Sequence, residues 1–159
     1  MRSITLTLSF LALTPFLFAQ QALAQQSSGR QASSAEVQGG QFERLAKWDV
    51  HYSAFASTFL QPEVASTYNI VRSRAQGVIS ISVLDAVTQK SQRVAVSGYA
   101  LNSLGQRREL NFRRISEGDS LYYLTNVSHD NEDRYRFFIN IRHGDTSEEL
   151  RFTHTFYRN

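Results

Sequence analysis

The chain has 159 residues, no cysteine, and 17 basic side chains against 14 acidic ones, a formal charge of +3. Without a thiol it can build no disulfide framework, thiolate metal site, cysteine nucleophile or lipid-modified cysteine anchor. Charges of both signs are interspersed and only Lys47 and Lys90 are lysines, which describes a solvated surface and not a nucleic-acid footprint.

The first predicted element is a leader. Arg2 supplies a positive start, an apolar run extends from Ile4 to Ala19, and Ala22-Leu23-Ala24 places small residues at both positions a signal peptidase reads. The run is shorter than the ~20 apolar residues of a spanning helix and is broken by Pro15, so residues 1–24 read as a cleavable signal peptide. Cleavage would leave 135 residues starting at Gln25, with 16 basic and 14 acidic groups and no second apolar run long enough to span a membrane. Residues 25–41 are rich in Gln, Ser, Gly and Ala. They cannot bury enough surface to offset chain entropy and are expected to be a flexible linker. The folded domain is placed at 42–159.

From there the pattern is period two. Trp48, Val50, Tyr52 and Ala54 alternate with Lys47, Asp49, His51 and Ser53, and Ile79, Ile81 and Val83 alternate with serines. A third strand runs from Val94 through Val96 and Gly98 toward Leu104, and a fourth carries Leu110 and Phe112. Glu117-Gly118-Asp119 reads as a tight turn in which glycine takes positive φ. Strands follow over Leu121–Val127, along Tyr135, Phe137, Ile139 and Ile141, and along Leu150, Phe152, His154 and Phe156. Seven short strands joined by Gly, Asp and Asn turns predict an all-β fold, an antiparallel sandwich in preference to a closed barrel. The predicted core comprises Trp48, Tyr52, Ile79, Ile81, Val94, Val96, Phe112, Tyr135, Phe137, Ile139, Phe152 and Phe156.

One segment breaks the rhythm. Pro62 at a first helical position, Glu63 in the first turn and Asn69 as a left-handed stop predict one short helix inserted between the first two strands. The surrounding segment, with Phe55, Phe59, Leu60 and Tyr68 beside Arg72 and Arg74, is more apolar than a connector needs. It either caps one end of the sandwich or forms an interaction surface, since an aromatic beside arginine is the composition of an interface hot spot.

Several motifs resemble a known family. They are His51-Tyr52-Ser53, Phe59-Leu60-Gln61-Pro62-Glu63-Val64-Ala65, Tyr68, Ile70-Val71-Arg72-Ser73, Val96-Ser97-Gly98, Asn102, Leu104-Gly105-Gln106, Glu117-Gly118-Asp119 with Tyr122-Tyr123, and Asp130-Asn131-Glu132. Together they resemble the gammaproteobacterial family called domain of unknown function 4426, over roughly Phe42 to the end. The resemblance implies an exported, immunoglobulin-like β domain. It implies no activity, cofactor or catalytic residues. The leader, with no cysteine for a lipid anchor, makes the periplasm the expected location.

Chemistry-bearing constellations are sparse. Asp49, His51 and Ser53 hold the residue types of a hydrolase triad, but same-face neighbours on a strand lie ~6.6 Å apart, too far for the contacts a triad requires. They read as the polar face of a half-exposed strand. The loop His129-Asp130-Asn131-Glu132-Asp133 could suit a cation but lacks the spacing of a helix–loop–helix calcium site and reads as a solvated turn. His154, among apolar same-face neighbours, reads as a hydrogen-bonded core histidine. Arginine pairs around the strand ends have acids nearby for surface pairing. The expectation is therefore an exported sandwich that acts by binding, with no cofactor, metal or catalytic residue assigned. Its partner would be another periplasmic protein or a small ligand. The alternatives are an envelope-assembly accessory or chaperone-like protein using a strand edge, and a metal-dependent or hydrolytic enzyme.

Overall fold

The computed structural model describes residues 41–158; the expected leader and most of the expected linker lie outside them. Nine strands form two antiparallel sheets. β1 (Gln41–Leu45), β2 (Trp48–Ala56), β3 (Gln76–Asp85), β7 (Ser120–Ser128) and β6 (Arg113–Glu117) make one sheet in that order. β5 (Arg107–Leu110), β4 (Ala95–Leu101), β8 (Asp133–His143) and β9 (Thr146–Phe156) make the other. The chain passes between the sheets three times, from β3 to β4, β5 to β6 and β7 to β8. The insertion is a 3-10 turn, Ser57–Phe59, followed by helix α1, Pro62–Thr67.

The sandwich core is where period two places it. All twelve predicted core residues belong to one cluster, eight of them buried and Tyr52, Val96, Phe112 and Phe152 packed partly buried against it. Alternation works because successive side chains on a strand point to opposite faces. On β8, Tyr135, Phe137, Ile139 and Ile141 are buried while Arg134, Arg136, Asn140 and Arg142 are exposed. Phe137 stacks on Phe152 of β9 with centroids 4.7 Å apart.

The strand count rises from seven to nine for two reasons. β1 has little apolar content, yet it pairs with β2 in register from Gln41↔Tyr52 to Leu45↔Trp48 through a turn in which Ala46 takes φ 49°. The expected fourth strand, through Leu110 and Phe112, is two: Asn111-Phe112 carries the chain from β5 in one sheet to β6 in the other. The third strand also stops early. Asn102 turns the chain at Leu101 by accepting hydrogen bonds at its side-chain oxygen from the Leu104 and Gln106 amides at 3.1 and 2.8 Å. Val94 precedes β4, its amide donating to the Tyr123 hydroxyl at 2.8 Å. Gly118 takes φ 56° in the expected turn. Gly98 has another reason to be glycine: a Cβ there would lie 2.3 Å from the Phe138 carbonyl oxygen on β8.

Candidate functional site

The sheet containing β3 is apolar on both faces where the insertion covers it. Along β2, β3 and β7, Trp48, Val50, Ile79, Ile81, Tyr123 and Val127 face the core. Phe55, Val78, Tyr122 and Leu124 alternate with these inward positions and so point to the opposite face. A second cluster forms there around buried Ala65, Ile70 and Val78, with Phe55, Leu60, Tyr68 and Leu124 packed against it.

Local chemistry fixes the insertion over this face. Ser57 is fully buried; its hydroxyl donates to the Ser73 carbonyl at 3.1 Å and accepts from the Ser73 amide at 2.9 Å, which pins the two ends of the loop together. The Arg72 guanidinium donates to the Thr58 carbonyl at 3.0 Å. Pro62 opens α1, where its missing N–H costs nothing. Asn69, with φ 49°, ends it: the Asn69 amide bonds to the Ser66 carbonyl and the Ile70 amide to the Ala65 carbonyl at 2.8 Å. That pairing is a Schellman stop, and it turns Ile70 back onto the sheet.

Between the insertion and the sheet lies an open groove of ≈ 360 Å³. Leu60, Val64 and Tyr68 line it from the insertion, Phe55 and Val78 from β2 and β3, and Ile115, Tyr122 and Leu124 from β6 and β7. Ser53 and Ser80, cross-strand partners, place two hydroxyls among its lining. The one carboxylate lining it is Glu117, which accepts a hydrogen bond from the Tyr68 hydroxyl and so links the insertion to β6. The groove offers apolar walls, two serine and two tyrosine hydroxyls, and one carboxyl group.

The candidate surface residues divide accordingly. Phe55, Leu60 and Tyr68 line the groove and are half-buried. Phe59 is 70% exposed and lies outside it, as do Arg72, which holds the loop, and Arg74, which is exposed. Sequence reasoning missed Val64, Ile70, Val78, Ile115, Glu117, Tyr122 and Leu124. A signal was present in Val78-Ile79 and Leu121-Tyr122-Tyr123-Leu124, where consecutive apolar residues break the alternation of a one-sided sheet.

The other constellations resolve differently. Asp49 is not half-exposed: its side chain is 7% accessible, held by the Arg44 guanidinium at 2.7 and 3.0 Å and the Gln89 amide at 2.8 Å. These donors, led by Arg44, hold its carboxyl below the usual carboxylate range and occupy the group that a triad would need to orient His51. His51 stacks on Phe42 instead, centroids 5.3 Å apart. The acidic loop is not wholly solvated either. His129 is only 3% exposed and stacks on Phe156, its Nδ1 bonded to the Asp130 carbonyl at 2.8 Å and its Nε2 without a partner. Arg158 ties the loop down through Asp130 at 2.7 Å and the His129 carbonyl at 3.0 Å. His154 is half-buried and meets Phe156 edge-on at 4.5 Å. Burial, and then His129, lower its pKa. Among the described residues no three His, Asp or Glu side chains gather into a potential metal-ligand set.

The family model for domain of unknown function 4426 matches residues 42–159. The chain belongs to the DUF4426 family. A solved DUF4426 protein from Pseudomonas aeruginosa PAO1 is 33% identical, over 75% of this chain and 95% of its own, with a TM-score of 0.66. A copper-bound variant of FetP from uropathogenic Escherichia coli strain F11 is 12% identical over 74% of this chain and 94% of its own, with a TM-score of 0.52. The latter likeness is one of fold. No curated protein matches the chain in sequence. Among the described residues of this DUF4426 domain no helix is long and apolar enough to cross a membrane.

Proposed function

We propose that this DUF4426 domain is an exported periplasmic binding module whose recognition site is the groove beneath the insertion. The observation that carries the reading is the apolar outer face of a sandwich sheet, left open by ≈ 360 Å³ instead of being filled by the insertion. A polar outer face would need no cover, and a purely structural cap would close its own gap by packing. The volume falls in the range of small-ligand sites, which combine apolar walls with a few placed polar groups. The ligand class is a small molecule or single partner side chain with an aromatic or branched apolar body. Its amine or hydroxyl head would donate to Glu117.

Export follows from the leader. Mass spectrometry of protein recovered from the periplasm should find Gln25 at its start, and an intact Met1 terminus would refute it. Groove binding is tested with N-phenyl-1-naphthylamine, an apolar fluorophore with one N–H donor. Its emission should rise on addition of the domain. Val64 lines the groove yet is 40% exposed on α1, so Val64→Glu should fold normally and weaken binding by about tenfold or more, as expected for a charge set in an apolar site. Phe59→Ala, outside the groove, should bind as wild type. Equal dye binding by Val64→Glu would sink the assignment.

A further inference from the structure

Sheet edges expose unpaired backbone groups, and folded proteins blunt them with short strands, prolines, bulges or charged side chains. Three of the four edges here are short: β1 and β6 have 5 residues each and β5 has 4. β9 is guarded by charge instead, at Glu148, Glu149 and Arg151. It has 11 residues, contains no proline, and pairs with β8 without a break from His143↔Thr146 to Asp133↔Phe156. Its other side has no strand partner among the described residues. Leu150 and Phe156 are buried and hold the strand to the core, while Ser147, Arg151 and Thr153 on its outer face are exposed.

The charges on this strand are self-complementary. Glu149 and Arg151 lie on the outer face with one inward residue, Leu150, between them, and already form an ion pair along the strand. When an edge strand pairs antiparallel with its own copy, a twofold axis crosses the seam at one residue, and the three axes nearest this ion pair lie at Glu149, Leu150 and Arg151. An axis at Glu149 sets Glu149 against Glu149 of the second copy. An axis at Arg151 sets the two arginines opposite each other. Only the axis at Leu150 places each Glu149 opposite the other copy's Arg151, with Ser147 opposite Thr153. Opposite charges directly across a pair stabilise it and like charges oppose it, so of these three the Leu150 axis is favoured.

We propose that β9 is a self-association edge and that its occupant is a second copy of this chain. The two β5-β4-β8-β9 sheets would join across the Leu150 axis into one continuous sheet. The interface is isologous, as closed dimers require. It leaves the groove free, because the groove residues belong to the other sheet and the insertion.

Sedimentation velocity on the full chain without its leader tests this. The wild type should sediment as a dimer at tens of micromolar, and folding of each variant is checked through the emission of Trp48. Glu149→Arg and Arg151→Glu should each weaken the dimer about tenfold or more, because each change puts like charges opposite at two symmetric positions. The double variant Glu149→Arg/Arg151→Glu restores opposite charges across the seam and should recover the dimer. A wild-type monomer at 100 micromolar, or single variants that dimerise unchanged, or a double variant no better than either single one, would overturn the proposal.

Discussion

Replacing Phe137 with alanine probes which way β8 faces. The ring is fully buried, stacks on Phe152 with centroids 4.7 Å apart and planes inclined by 16°, and meets Tyr135 at 5.9 Å. Its deletion removes the transfer energy of a buried aromatic and leaves a cavity between two sheets held apart by their other side chains. Truncations of this kind cost about 3–5 kcal/mol, and an aromatic pair adds about 0.5–1.5 kcal/mol beyond area. The loss should therefore lie in the upper half of that range, about 4–5 kcal/mol, with a fall in Tm of roughly 12–25 °C for a domain of this size. Urea unfolding read through Trp48 suits the measurement, because it is the sole tryptophan and is buried in the same cluster. Phe138 is the internal control: it points the other way, half-buried and stacked on Tyr99 at 4.8 Å, and its alanine variant should lose clearly less. A Phe137→Ala loss below about 1 kcal/mol, or one no larger than that of Phe138→Ala, would refute the assignment of faces.

Gly98→Ala should destabilise by about 1–3 kcal/mol in the same assay, because the added Cβ meets a backbone oxygen that cannot swing aside. Asp49 has its pKa held down in the folded state by Arg44 and Gln89, so its contribution is present at neutral pH. That contribution should be lost as pH falls from about 4 toward the lowered value, and Asp49→Asn should flatten the acid limb of a stability–pH curve. His154 has its pKa lowered by burial and then by His129. The unfolded chain therefore binds more protons below about pH 6.5, stability declines as pH drops through that window, and His154→Gln should remove the slope.

Much of the sandwich was legible in the sequence because its inner face obeys one rule. Wherever a strand is buried on one side only, as at Tyr135–Ile141, alternation alone names the buried residues. The reading fails where two influences act on one segment. Leu110 and Phe112 share a parity and suggest one strand, but the chain leaves its sheet between them, a tertiary event with no local signature. Asp49 sits at an outward position and still loses its water, because Arg44 and Gln89 close over it from other parts of the chain. His129 continues the inward parity of Thr125 and Val127, and the four polar residues after it hide that continuity. The helix stop at Asn69 was readable because its chemistry is local. The groove was not, since its walls are gathered from β2, β3, β6, β7 and the insertion.

The three crossings between sheets set the order in which the molecule can be completed. Each sheet takes strands from two separate stretches of chain, and its central seam, β3 with β7 or β4 with β8, joins one stretch to the other. A polypeptide delivered N-terminus first therefore displays the apolar flank of Gly77–Ile81 until Tyr123–Val127 arrives, and that of β4 until Phe137 and Ile139 follow. A fragment ending before β8 lacks Tyr135, Phe137, Ile139, Ile141, Leu150 and Phe156 of the core cluster. Closing the core therefore waits on contacts distant in sequence, the slow regime of a long-range β topology. During that interval whatever shields Val78 to Ile81 decides between folding and aggregation.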